Sequence, residues 1–220
     1  MSAAKSSSRL DRRTVLQIGT AVLVGAGMAT LLRNSRSVGE DVGNNGLVQE
    51  IRADRSSPMK QVPGADLTII SFNDFNCSAC RKAHPAIQLA AAEDGRCNMI
   101  YKDWPIFGAA SERAARIAMA ADYQGLYPQV YDRLMRQAGL GNGRLQDAVE
   151  QSGGNWDRLL EDLNAHQQEI DNQLDRNRRQ AFSLNLQGTP AFLIGPILIR
   201  GAVSQRNFAR AIAAAREAES

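Results

Sequence analysis

The chain has 220 residues, 44% hydrophobic and 22% charged, an ordinary globular composition that excludes a disordered chain or a polytopic membrane protein. Its formal net charge is +3, but Lys5, Arg9, Arg12, Arg13 and Arg33 against Asp11 put +4 in residues 1–33, which leaves −1 for the rest and no electrostatic case for nucleic-acid binding. Three cysteines, two of them in a Cys-x-x-Cys, are too few for the disulfide framework of a small secreted domain and read as a reactive pair plus one spare.

Residues 1–33 read as a targeting segment: a basic start, then Val15 to Leu32, apolar apart from Gln17, then Arg33 and Arg36. Arg12-Arg13-Thr14-Val15-Leu16 resembles the twin-arginine export motif, with Asp11 before the pair and Gln17 where that motif often has a lysine. The segment is about the minimum length of a membrane span, so a cleaved signal peptide and an uncleaved anchor both stay open. Either one places the rest in an oxidising compartment, most simply a bacterial periplasm. Ser35 to Gly46 is Ser-, Gly- and Asn-rich and reads as a flexible connector, and Leu47 to Ile51 reads as an edge strand.

Leu67 to Phe72 is a short, β-branched, nearly continuous apolar run, the pattern of a central strand covered on both faces. It leads directly into Cys77-Ser78-Ala79-Cys80, and Cys80 to about Ala92 reads as a helix with Ala86, Ile87, Ala90 and Ala91 inward, ended by Asp94-Gly95. Cys97 to Lys102 gives a second strand and closes a βαβ unit. After Trp104-Pro105 the apolar residues recur at three and four up to about Leu186, with breaks at Gly139 to Gly143 and Gly153-Gly154, which predicts several helices. Gly188 to Ile194, Gly195-Pro196 and Ile197 to Arg200 read as a strand, a turn and a returning strand, and Ser204 caps a last amphipathic helix carrying Phe208, Ile212 and Ala215. The order is β-α-β, helical insert, β-β-α, an α/β fold.

Two cysteines three apart on a first helical turn share a face and are close enough to bridge. Free N–H groups and the macrodipole at a helix N-terminus favour an anion, so Cys77 is expected to hold a lowered pKa and attack as a thiolate, with Cys80 as the resolving thiol. Cys97 reads as an inert buried thiol. His84 lies on nearly the same helix face as Cys77, about two turns on; it reads as a half-exposed histidine or as positive charge tuning the site.

Three motifs carry a resemblance. Asp74-Phe75-Asn76-Cys77-Ser78-Ala79-Cys80, then Trp104-Pro105-Ile106-Phe107-Gly108 with Ser111-Glu112-Arg113-Ala114-Ala115, and Gly188-Thr189-Pro190 together resemble the DsbA-like family of periplasmic thiol–disulfide oxidoreductases. The resemblance covers roughly Asp66 to Ala215. It implies a thioredoxin-like fold with an inserted α-helical subdomain: a signal peptide or anchor over 1–33, a linker over 34–60, a thioredoxin-like domain over 61–106 and 187–220, and the insert over 107–186.

It also implies a cis peptide before Pro190, with Thr189 offering backbone groups to an extended substrate chain. The activity implied is disulfide oxidation of exported cysteine-containing polypeptides through Cys77 and Cys80, with no cofactor beyond the redox disulfide, no metal, a monomeric state and a membrane redox partner. Isomerase or reductase chemistry at the same site is the alternative.

Tuning of the pair would fall to Ser78, Ala79, His84 and Asp74. Ser78-Ala79 lacks a histidine found in strongly oxidising relatives. Ser71 stands six residues before Cys77, where thioredoxin-like proteins often bury a carboxylate, so proton transfer falls to water, Asp74 or Lys82. Two readings from other classes are a metal module built on Cys77, Cys80 and Cys97, which lacks a second close-spaced ligand pair, and an interaction domain with a structural bridge.

Overall fold

A computed structural model describes residues 38–219. The targeting segment, including its twin-arginine motif, lies outside the described residues. Six strands form one mixed sheet in the order β1-β6-β5-β3-β4-β2: β1 (Glu40–Asp41), β2 (Met59–Lys60), β3 (Leu67–Asn73), β4 (Cys97–Asp103), β5 (Ala191–Ile194) and β6 (Ile197–Arg200). Only β3 and β4 run parallel, with Ser71 opposite Tyr101 and Asn73 opposite Asp103. The connection between them is helix α2 (Ser78–Asp94).

Both faces of β3 are buried because both are covered, which is why its sequence does not alternate. On one face Leu67 and Ile69 pack with Met99 and Tyr101, with α2, and with the C-terminal helix. On the other, Ile70 and Phe72 pack with Ile100, Leu193 and Leu198. That second face is closed by α1 (Gly46–Ala53), which contributes Val48 and Ile51.

The sequence expectation for this N-terminal stretch is corrected here. Leu47 to Ile51 is helical: the Asn45 side chain accepts from the Val48 N–H at 3.1 Å, and the apolar residues follow helical rather than alternating spacing. The stretch read as connector also carries β1, which pairs with β6, while β2 pairs with β4. A buried ion pair between Lys102 and Asp54 anchors the end of α1 to the sheet.

Between β4 and β5 the chain runs through α3 (Ala109–Ala120), a short 3-10 turn (Ala121–Gln124), α4 (Tyr127–Arg136), α5 (Asn142–Glu150), α6 (Trp156–Ala165) and α7 (Gln167–Ser183). Gly139 and Gly141 fall between α4 and α5 and Gly153-Gly154 between α5 and α6, as the sequence suggests, while Gly143 sits in the first turn of α5. The β5–β6 hairpin turns through Gly195, at a φ of 52° that an L side chain rarely adopts. Last comes α8 (Gln205–Glu219), with Ser204 Oγ accepting from the Asn207 N–H at 3.3 Å and Phe208, Ile212 and Ala215 buried. Among the described residues, no helix is long and apolar enough to cross a membrane.

Candidate active site

Strand β3 ends where the chain must turn to enter α2, and the turn is tied down from several sides. The Asp74 carboxylate, 1% exposed, accepts from the Asn76 N–H at 2.6 Å, the Ile106 N–H at 2.7 Å, the Phe107 N–H at 3.0 Å and the Ser111 hydroxyl at 2.7 Å. Arg81 donates to the Phe75 carbonyl at 3.0 Å. Asp74 therefore fixes the Cys77 loop to the loop leading into α3, a structural task that leaves its lone pairs committed.

Cys77 is itself the N-cap of α2. Its sulfur accepts from the Cys80 N–H at 3.2 Å and lies 3.4 Å from the Thr189 carbonyl oxygen, to which the thiol donates. The Thr189-Pro190 peptide is cis and brings that carbonyl over the helix start. Both thiols are buried and unbridged, Cys77 at 4% exposure and Cys80 at 1%.

Their environments push the two thiols apart. The Cys80 thiol hydrogen-bonded to Cys77, aided by the Cys80 and Ala79 N–H groups, outweighs burial and lowers the Cys77 pKa from 9.0 to about 6. Burial, then the hydrogen bond to Cys77, drives the Cys80 pKa far upward. The outer sulfur is thus an anion near neutral pH and the inner one keeps its proton, the asymmetry expected of an attacking and a resolving thiol.

Of the other candidate residues, Ser78 is exposed and Ala79 half-buried at the helix start, next to the pair. His84 is not half-exposed: it is 3% exposed, because α4 covers it. Its Nε2 is 2.7 Å from Asp132 Oδ1 and its ring meets Tyr131 edge-on at 5.5 Å. Burial lowers its pKa against the pull of Asp132, so near neutral pH it brings no positive charge to the thiolate. Lys82 is exposed and stands away from the buried side of α2. Cys97 is buried with its thiol directed at Asp94 Oδ1, 3.2 Å away, and burial and that carboxylate raise its pKa to about 12, an unreactive thiol.

Sequence reasoning missed Asp103. It ends β4 opposite Asn73, is 2% exposed, and takes the Tyr127 hydroxyl at 2.9 Å on both carboxyl oxygens. The signal available was an acid in Tyr101-Lys102-Asp103 at the end of a strand otherwise read as core. Among the described residues, no group of three or more His, Cys, Asp or Glu side chains is arranged to hold a metal ion.

Comparison with known proteins agrees with this geometry. The family model described as "DSBA-like thioredoxin domain" matches residues 68–213. A thioredoxin-like oxidoreductase from Silicibacter pomeroyi DSS-3 is 29% identical, with a TM-score of 0.72 over 79% of this chain and 99% of that one. Two less similar structures share the fold: the thiol-disulfide exchange protein alpha-DsbA2 from Wolbachia pipientis (21% identity, TM-score 0.69, covering 79% and 92%) and Proteus mirabilis ScsC (21% identity, TM-score 0.66, covering 94% and 96%). No curated protein matches the chain. With a family match over most of its length and its cysteine pair at the start of α2, the chain belongs to the DsbA-like thioredoxin family and is a thiol–disulfide oxidoreductase.

Proposed function

We propose that this chain is a periplasmic disulfide oxidase acting on exported cysteine-containing polypeptides, with Cys77 as the exchanging sulfur and Cys80 as its partner. The observation that carries this reading is the asymmetry of the pair: Cys77 lowered to about 6 by the Cys80 thiol and helix N–H groups, beside a Cys80 whose proton is held by burial. A stabilised Cys77 thiolate is a good leaving group and makes the reduced pair the favoured form, which is the property of an oxidant.

In the oxidising cycle a substrate thiolate attacks Cys77 Sγ. The Cys77–Cys80 bond breaks, and Cys80 leaves and takes up a proton. The second substrate thiolate then attacks the substrate sulfur of the mixed disulfide, and Cys77 departs as thiolate with the electron pair. A partner, which we place in the membrane, returns the pair to the disulfide.

Thr189 and Pro190 form the substrate-facing edge, where an extended chain pairs with the Thr189 backbone as a short added strand. Ile106 at 40% and Phe107 at 51% exposure, held beside the site through Asp74, give the same edge an apolar surface suited to unfolded polypeptide. Ser78, Ala79, Asp74 and His84 shape the site without exchanging electrons. On this reading the helices between β4 and β5, residues 107–186, form the cap of a monomer, and the N-terminal segment exports or tethers it.

The reduction potential of the Cys77–Cys80 pair, measured against a glutathione series, tests the reading. A value well above thioredoxin's, about −270 mV, is expected, and a value at or below it makes the chain a reductase.

A further inference from the structure

A cleft of about 940 Å³ opens between the cap and the sheet. Helices α4 and α5 line it from the cap, and α2, β2 and β4 from the other side, with the buried Tyr101 among the lining residues. It is separate from the exchange site. Gln88, its contribution from α2, lies three helical turns beyond Cys77, roughly 16 Å along the axis at about 1.5 Å per residue.

Cations outnumber acids in this cleft: Lys60, Arg133, Arg136 and Arg144 line it against Asp132 and Asp147. Asp132 is already engaged, with Oδ1 2.7 Å from His84 Nε2 and Oδ2 accepting from Arg136 Nε at 2.8 Å. Arg133 is fixed by neutral acceptors: the Gln151 carbonyl at 2.6 Å, the Gln151 side-chain oxygen at 3.1 Å and the Ser152 hydroxyl at 3.1 Å. Its charge is therefore held in place without being compensated. Among the described residues, neither Lys60 nor Arg144 has an acidic partner. With Arg136 balanced by Asp132, and Asp147 offsetting one of the other three cations, an excess of two positive charges remains on a concave wall that focuses their field.

The neutral groups narrow the class of ligand. Gln88, Gln129, Gln137 and Gln151 all line the cleft, and each amide offers the donor and acceptor that a peptide group matches. The Gln137 Nε2 is buried with no acceptor among the described residues. The uncompensated cations stand on three different elements, β2, α4 and α5, an arrangement that suits carboxylates spaced along a chain. The volume lies at the upper end of the span of about 300–1,000 Å³ found for ligand clefts, which admits a short peptide.

We propose that this cleft docks an acidic segment of polypeptide, with its carboxylates on Lys60, Arg133 and Arg144 and its peptide groups on the glutamine amides. The site goes beyond the exchange reading and holds for either direction of electron flow. A partner held here has its cysteines kept at high local concentration near Cys77, without a new contact at the Thr189 edge. Guanidinium–carboxylate pairs in a half-open cleft are individually weak and screened by salt, so the site is expected to bind modestly and to weaken as ionic strength rises.

The reduced, isotope-labelled full chain is titrated by NMR with a capped hexapeptide of alternating Glu and Ala, and with its counterpart carrying Gln for Glu; neither contains cysteine. The Glu peptide should give saturable shifts at the Gln88, Gln137 and Ala148 amides, weakened by added salt, and the Gln peptide should bind at least about tenfold more weakly. Lys60→Glu combined with Arg144→Glu, both at exposed positions, should weaken the Glu peptide about tenfold or more and leave the Cys77 thiolate titration unchanged. Equal binding of the two peptides, or unchanged affinity in the double variant, overturns the proposal. Shifts confined to Ala79, Thr189 and Ala191 would place the peptide at the exchange site and overturn it as well. Saturation of the same amides by inorganic sulfate as readily as by the Glu peptide makes this a small-anion site and overturns the peptide assignment. None of these readouts involves the potential of the Cys77–Cys80 pair, so failure here leaves the redox reading standing.

Discussion

The Cys77 sulfur lies 3.4 Å from the Thr189 carbonyl oxygen, although 112 positions separate the two residues in the chain. The contact joins the start of α2 to the loop before β5, and it is made possible because β3 and β5 are sheet neighbours, with Phe72 opposite Ala191. The cysteine pair and the loop proposed to receive substrate thereby meet at one point.

The division of labour between the sulfurs predicts distinct trapped states. Cys77→Ser is expected to abolish exchange, and Cys80→Ser to accumulate mixed disulfides with substrate through Cys77, both visible on non-reducing gels. Activity retained by Cys77→Ser would reassign the nucleophile.

The Cys77 thiolate depends first on its partner. Cys80→Ala should therefore raise the Cys77 pKa from about 6 toward the ordinary thiol range, while Cys80→Ser, which keeps a hydroxyl donor, should raise it less. Thiolate absorbance against pH measures both. The linkage follows the same sign: a depressed thiol contributes stability to the reduced protein above its ordinary pKa of 9.0, and this is lost as pH falls through about 6.

Asp74→Ala leaves the Ile106 and Phe107 N–H groups and the Ser111 hydroxyl without their acceptor. A loss of about 1–3 kcal/mol is expected from stranding the buried Ser111 hydroxyl and the two part-buried amides, together with faster amide exchange at Ile106 and Phe107. Denaturant unfolding and residue-resolved hydrogen exchange check the two effects separately, and unchanged exchange at these amides would remove Asp74 as the tie.

The Lys102–Asp54 pair on the opposite face makes a fourth case. Burial works to raise the Asp54 carboxyl, but the hydrogen bonds from Lys102 and Ser56 outweigh it and hold it below the usual carboxylate range. Asp54→Ala strands a fully buried ammonium and should cost about 3–5 kcal/mol in urea unfolding, whereas the double replacement Asp54→Leu with Lys102→Met should cost far less. The stability that Asp54 contributes is present above the unfolded carboxylate pKa and is lost as pH falls toward its depressed value.

Asp103 has the reverse sign. The unfolded chain ionises it near 3.8 while the folded protein holds its proton to about 8, so its contribution to stability falls as pH rises through that window. Asp103→Asn should therefore gain stability relative to the parent between pH 4 and 8, read as a difference in denaturation midpoint that widens with pH.

Several of these features were legible in the residues. Cys77 and Cys80 declare themselves because a helix start places them three apart on one face, and β3 because both of its faces are apolar. The Ser204 cap and the Gly195-Pro196 turn are also local chemistry. Leu47 to Ile51 was misread because five apolar-rich residues fit either period, and the deciding signal, Asn45 as a cap, precedes the run. His84 looked half-exposed because its own helix leaves it near the boundary; only α4, through Asp132 and Tyr131, closes over it.

By itself the sequence determined the cysteine pair, its place at a helix N-terminus and the order of strands and helices from β3 onward, since each depends on hydrogen bonds and periodicities that span a few residues. The tertiary structure alone decided which acids are buried. Asp74 and Asp103 are both acids at the ends of strands, yet one gathers four donors and stays a tie, while the other meets a single tyrosine and holds a proton. A carboxyl's ionisation is set by the dielectric and the donors around it, and at Asp103 these come from helices that the chain reaches only after leaving β4.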